Sequence, residues 1–342
     1  MEKYVENDLD PSGETRKIPI TFFIPKIKEN RVFYENGLAK FIDKLVVKVY
    51  SNLEICHQLW EQFSPNQSLF QLWEFRYSWY LGYRYQPFFY TIQLNNQPLA
   101  VLPLCFNEDK KEFQWFGSWW PEDNLFFVKD EKFIPLLFKI APKPLLLTGI
   151  LPFDNFKSYQ LLEDDFKYIS DISRTKIFDD YLSNLSKKNR YHFKNYFYRF
   201  SLLEPKMVFL EGNRSSMLKI LKKLSIIDYE RKDVSEYRKS ERVNTFKEIY
   251  FHQGRYKIFT LYGKIKNYDF ALDILGIYKN QFYILTGAAD IERFPGAIHY
   301  LTYLEIEKAI QMGCSIVDAM QIDYNWKHKY FTPKPMLKFE KK

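Results

Sequence analysis

Cysteine is scarce in this 342-residue chain, and its three copies, Cys56, Cys105 and Cys314, lie far apart with no paired spacing. That excludes a disulfide framework and a cysteine zinc site, and leaves buried small hydrophobes as the simple reading. Histidine is equally thin. Five residues are scattered, and His57 beside Cys56 makes no ligand pair on a helix, where neighbours point in different directions. We assign no metal. Long hydrophobic runs are missing too: no apolar stretch reaches the ~18 residues of a membrane span. The nearest, Phe133 to Phe153, is interrupted by Lys139, Pro142, Lys143 and Pro144, which predicts buried strand or loop. The opening stretch Met1 to Asp8 is acidic and polar, unlike a secretory signal, so a cytoplasmic location is expected. No RNP or zinc-finger signature points to nucleic acid.

Aromatics, by contrast, are abundant, at 19% within a hydrophobic content of 46%. A chain this long and this apolar buries two cores of ordinary size. Formal charge is +8, and it is uneven: Tyr181 to Leu203 holds Lys187, Lys188, Arg190, Lys194 and Arg199 with no acid. As a helix, this stretch places Phe193, Phe197 and Phe200 on one face and Lys187, Arg190, Lys194 and Tyr198 on another. The cationic face is either simply solvated or a site for substrate phosphates or an acidic partner. Asp228 to Arg242, with five acids against five bases, reads as a mobile polar connection.

The chain also repeats itself. Pro87–Leu94 and Leu99–Phe106 flank Asn95-Asn96-Gln97-Pro98, two strands around a turn. Tyr256–Leu261 and Asp269–Tyr278 flank a second turn carrying Gly263 and Asn267. Each hairpin follows an aromatic-rich helical stretch, Phe70–Tyr83 in front and Met217–Tyr229 behind. Twin copies of one α/β unit account for this. The first copy ends in Trp115-Phe116-Gly117-Ser118-Trp119-Trp120-Pro121-Glu122-Asp123, with no Pro-Gly loop opening a helix after it. The second has one: Arg293-Phe294-Pro295-Gly296-Ala297 lies between an expected strand, Phe282–Ala288, and an expected helix, His299–Met312. Such a loop seats an anionic group on helix N-terminal amides. Gly313, a short apolar strand Cys314–Val317, Asp318 and, eight residues on, Trp326-Lys327 complete the order.

That order, with Ser186-Lys187-Lys188-Asn189-Arg190-Tyr191-His192-Phe193-Lys194 upstream, resembles the GNAT-like acyltransferases of the CelD/BcsL type, associated with cellulose and capsule biosynthesis. These are relatives of the Fem-type aminoacyl transferases. The resemblance covers roughly residues 165 to 331 and rests on the ordered set, since no one motif is strongly specific. It implies an α/β (α+β) fold of two tandem GNAT-like domains, each a mixed, largely antiparallel sheet flanked by helices. Expected boundaries are a flexible segment 1–17, a scaffold or acceptor domain 18–160, an acyltransferase domain 161–335, and a tail 336–342 that is frayed from Lys338 to Lys342.

The resemblance also implies a site. Arg293, Pro295, Gly296 and Ala297 would bind the donor, acetyl-CoA or another acyl-CoA, although Ile298 stands where the wider superfamily has Gly or Ala. Lys187, Arg190, Lys194 and Lys327 would bind substrate. Asp318 is the first candidate for the base that takes the acceptor proton, with a helix or turn cap as its plain alternative. Trp326 replaces the family's more usual Tyr, so any proton donation by that Tyr is either lost here or moved to Tyr324. Asp273, within apolar Ala271-Leu272-Asp273-Ile274-Leu275, is either a groove-facing acid or the partner of a nearby base. Asp290 reads as a turn residue. The expected activity is transfer of an acyl group to an amine or hydroxyl of a cell-envelope or polysaccharide-related acceptor, a small molecule or activated sugar. Two alternatives stand beside it. One is a Fem-type transferase that uses aminoacyl-tRNA on a peptidoglycan precursor; the other is a catalytically silent binding module with a basic helix.

Overall fold

The computed structural model describes residues 10, 12–26, 33, 35, 37–154, 159, 161–229 and 235–342. Strands β1 (Ile18–Pro19), β2 (Val46–Tyr50), β3 (Pro87–Leu94), β4 (Gln97–Asn107), β5 (Glu112–Trp115), β6 (Phe127–Val128), β7 (Leu145–Ile150) and β8 (Leu162–Glu163) come first along the chain. They are followed by β9 (Lys167–Asp171), β10 (Lys206–Glu211), β11 (Lys257–Ile265), β12 (Tyr268–Tyr278), β13 (Gln281–Ala289), β14 (Ile316–Gln321), β15 (Thr332–Lys334) and β16 (Leu337–Lys341). Both expected hairpins form, β3–β4 and β11–β12, with Asn95 and Asn96 at positive φ in the first turn.

The first sheet runs β1-β2-β3-β4-β5-β7-β16-β8 with β6 against β4, and the second runs β10-β11-β12-β13-β14-β9-β15. Each repeats one plan. A four-strand antiparallel meander, β2–β5 or β10–β13, crosses over to a parallel neighbour, β7 or β14. An antiparallel strand comes next, β16 or β9. The expected α/β architecture of two tandem units, each a mixed, largely antiparallel sheet flanked by helices, is the observed one.

Other expectations change. The C-terminal tail is not frayed: Leu337 pairs with Ile150 and Phe339 with Leu147, and both apolar side chains enter the first core. Lys341 fixes the end by donating to the carbonyls of Phe138, Lys139 and Ala141. At the other end Thr15 is buried and its amide donates to Val49 O at 3.0 Å, so residues 12–17 dock on β2; residues 1–9 and 11 lie outside the described residues. The Phe133–Phe153 run yields β7 but also a helix, Ile134–Ile140, which Pro135 suits because its first turn needs no amide donor. Of the expected polar connection, residues 230–234 lie outside the described residues, and from Ser240 onward the chain is already helical.

A shared core joins the units. Helix Trp73–Tyr83 packs on helix Ser240–Phe251 so closely that a β-carbon on Gly82 would strike Thr245 Oγ1. Around that crossing Phe70, Phe75 and Trp79 meet Leu221, Phe246 and Tyr283. Each such buried apolar side chain contributes about 1.5–3 kcal/mol.

Candidate functional site

Strands β13 and β14 are the parallel pair of the second unit, and their pairing is brief. Gln281, Phe282 and Tyr283 match Ile316, Val317 and Asp318, after which the ladder stops while both strands continue. Beyond Asp318 the chain kinks, with Met320, Ile322, Tyr324 and Asn325 at positive φ, which leaves the end of β13 without a neighbour on that side. Asp290-to-Gly296 then turns the chain into helix Ala297–Gln311. Gly296 has φ 92°, the left-handed region, and a β-carbon there would sit 3.2 Å from the Tyr196 ring. Among the described residues no side-chain hydrogen bond caps the start of this helix, where the dipole has its positive end.

Helix Lys187–Ser201 lies across the start of that helix. Ser186 caps it, its Oγ accepting from Asn189 N at 3.2 Å, and Phe193 and Phe200 are buried against the second core as the spacing predicts. Tyr196 stacks on His299 with ring centroids 4.3 Å apart, and Tyr330 Oη lies 3.1 Å from His299 Nδ1. Burial, with help from Lys329, pushes the His299 pKa down to about 4, so its imidazole is neutral at ordinary pH.

A buried ionic network lies at the base of the opening. Lys167 Nζ is 2.7 Å from Asp318 Oδ2, 2.6 Å from Asp123 Oδ1 and 3.7 Å from Glu122 Oε2. Burial alone would lower the Lys167 pKa, but Asp123, Asp318 and Glu122 outweigh it and hold it well above the ordinary lysine value. Burial pushes Glu122 up to about 8 and draws Lys327 down to about 8. Lys327 Nζ donates to Gln321 O at 2.7 Å. Lys167 is thus the cation that buried acids on both sheets share, as a buried cluster of acids needs.

A second buried pair stands apart. Asp273 on β12 meets Glu305 of helix Ala297–Gln311, and a β-carbon on Gly287 would collide with its carboxylate. Burial raises Asp273 to about 7; burial and Asp273 together hold Glu305 well above the usual carboxylate range. Two acids this close share a proton rather than both ionise.

These positions revise the sequence reading. Asp318 is 2% exposed, with one oxygen on Lys167 and the other accepting from Met320 N at 2.9 Å, so it braces the network instead of facing a groove. The partner of Asp273 is an acid, not a base. Tyr324 is exposed on the kinked loop, and Lys327 is buried beneath that loop. Arg293 stacks on Tyr268, with its guanidinium carbon 3.5 Å from the ring centroid. Pro295, Gly296 and Ala297 form the turn and the helix start, where the Ala297 amide is already bonded to Phe294 O. Lys187 and Lys194 are exposed and Arg190 is partly so; Lys194 lies 3.4 Å from Asp179. Asp290 is the expected turn residue, accepting from Arg293 N. Sequence reasoning missed Glu122, Lys167, Glu305 and His299. The signals were present: Pro-Glu-Asp closing an aromatic run, and single charges inside apolar stretches. Among the described residues no group of three or more His, Cys, Asp or Glu side chains is placed to hold a metal.

The first unit treats its own parallel pair differently. β5 and β7 share one rung, Phe113 with Leu145, and beyond it the chain fills the gap. Trp115 Nε1 donates to Thr148 O at 2.9 Å, Asn124 N to Gly149 O at 2.9 Å, and Leu151 N to Asn124 O at 3.0 Å. Buried Arg76 staples this insert through Phe116 O, Glu122 O and the Asn124 side chain. Its pKa is drawn down to about 9 by burial, with Asp123 opposing.

No family model matches this chain, and no curated protein matches it. Solved structures do. FemX is 14% identical, over 82% of this chain and 94% of that one, with a TM-score of 0.52. The C-terminal domain of a putative lysylphosphatidylglycerol synthetase from Agrobacterium fabrum is 11% identical over 83% and 91%, with a TM-score of 0.53. L-PGS from Bacillus licheniformis is 12% identical over 84% and 91%, also with a TM-score of 0.53. At such identities the likeness is one of fold. It extends over both units.

Proposed function

We propose that this protein is an acyl- or aminoacyl-transferase whose donor binds the second unit, in the gap between β13 and β14. One observation carries the reading: a parallel ladder that stops after three rungs beside an uncapped helix opened by left-handed Gly296. A phosphate-bearing donor fits such an end, because helix N-terminal amides supply donors and a favourable dipole. The exposed edge of β13 offers backbone amides along which an extended acyl arm can lie. Likeness in fold to FemX and to lysylphosphatidylglycerol synthetase supports a transferase acting at the cell envelope, and the polysaccharide-related acceptor of the CelD/BcsL type is a narrower version of that reading.

In the reaction an acceptor amine or hydroxyl attacks the donor carbonyl, the carbon–sulfur or carbon–oxygen bond breaks, and the leaving group takes a proton. In this reading Asp318 positions the site through Lys167, since both its oxygens are engaged. Neutral His299, hydrogen-bonded to Tyr330 at the helix start, holds the donor end of the cleft without adding charge. The donor is acyl-CoA, with aminoacyl-tRNA as the second reading that the FemX likeness favours. Turnover assays with each donor and a panel of amine acceptors separate them. Transfer from acyl-CoA supports the first, transfer that requires charged tRNA supports the second, and transfer from neither leaves a binding module.

A further inference from the structure

The basic helix has an outer face that the donor site does not use. With Phe193, Phe197 and Phe200 turned inward, the opposite ridge is Tyr191, Tyr198 and Leu202, spaced i, i+7, i+11. These three are 67%, 65% and 65% exposed, and Leu203 beside them is exposed as well. At 1.5 Å per residue the ridge runs for about 16 Å. The 100° step of a helix sets Lys187 and Lys194 along one side of it and Lys188 and Arg199 along the other. All four are exposed, the helix itself holds no acid, and the acid that meets its cations is Asp179, 3.4 Å from Lys194.

Cations on both flanks of an apolar, tyrosine-bearing centre suit one kind of partner. Tyrosine presents an apolar ring with a polar tip, which settles at the level of lipid headgroups, and lysine stems extend sideways to reach phosphates. A nucleic-acid groove would want its cations along the centre, where this helix has Tyr191, Tyr198 and Leu202. Charge complementarity then names the surface. We propose that this face docks on an anionic membrane, with Tyr191, Tyr198 and Leu202 entering the headgroup layer and Lys187, Lys188, Lys194 and Arg199 lying over lipid phosphates. The proposal stands whether or not the protein transfers acyl groups.

Co-sedimentation with vesicles of phosphatidylcholine, with and without phosphatidylglycerol, tests it on the full chain. Binding should require phosphatidylglycerol and weaken with salt. Each cation removed from the flanks should weaken it about five-fold, and the triple change Tyr191→Ser, Tyr198→Ser, Leu202→Ser roughly ten-fold. All these positions are solvent-exposed, so melting temperatures should stay near the parent's. Should the triple variant fail to fold, Lys188→Glu with Arg199→Glu gives the same reading on its own. Absence of binding to phosphatidylglycerol vesicles at low salt overturns the proposal. So does binding that ignores both sets of substitutions, or tighter binding of a labelled RNA through the same residues.

Discussion

In the first unit the parallel contact between β5 and β7 is a single rung, and residues around Asn124 occupy the space beyond it, stapled by Arg76. In the second unit β13 and β14 part after three rungs, and a Pro-Gly turn leads from the end of β13 into an uncapped helix. One plan therefore yields a gap crossed by an inserted segment and a parallel ladder that ends beside a helix start. The plug is also a connector, because Glu122 and Asp123 leave it to meet Lys167 and Asp318 of the other sheet. Repeating the plan leaves one copy with a short parallel ladder and turns the gap of the other into part of the joint.

The largest effect should come from breaking that joint. Lys167→Met leaves buried carboxylates without their cation, and urea unfolding should show a loss of about 3–5 kcal/mol. A loss under 1 kcal/mol would mean the network is wetter than its geometry implies. Loosening the plug should matter less: Asn124→Ala takes a partner from Pro121 O and from Arg76, a penalty of about 1–3 kcal/mol in the same assay. Gly296→Val forces a β-branched residue into the left-handed region against Tyr196, at about 1–2 kcal/mol. Unlike the plug change, it should also abolish donor binding.

The Asp273–Glu305 pair gives a test by pH. Burial raises the folded pKa of Asp273 from 3.8 to about 7, and that of Glu305 further. An acid raised on folding contributes its full stability below the unfolded value and loses it as pH climbs through the folded one. Stability should therefore fall from about pH 4 through about pH 7 and beyond, and Asp273→Asn should flatten that slope in melts across the range. The smallest effect is expected at Arg293→Ala, which should stay within about 0.5 kcal/mol of the parent and leave donor binding intact, since Arg293 lies on Tyr268.

Local rules exposed much of this to sequence reading. Hairpin turns at Asn95-Asn96, phenylalanine spacing in the Lys187–Ser201 helix and the Pro-Gly turn before the helix at 297 are written in neighbouring residues. Contacts distant in sequence were not. Asp318 looked like a base because it ends an apolar strand, and only the fold brings Lys167, from some 150 residues earlier, to within 2.7 Å of it. Glu305 reads as an ordinary helix acid until β12 sets Asp273 beneath it. The return of β16 to the first sheet likewise depends on a pairing with β7 across more than half of the chain.

The central claim is that one chain holds one donor, in the second unit. Thermal shift and calorimetric titration with acetyl-CoA, longer acyl-CoA and aminoacyl-tRNA test it most directly, on the parent and on Gly296→Val. A ligand at 100 times its dissociation constant should stabilise the parent by about 2.7 kcal/mol. A single saturable site that Gly296→Val removes is the expected result. Two sites per chain, a site indifferent to that substitution, or no saturable binding of any of these donors would contradict it.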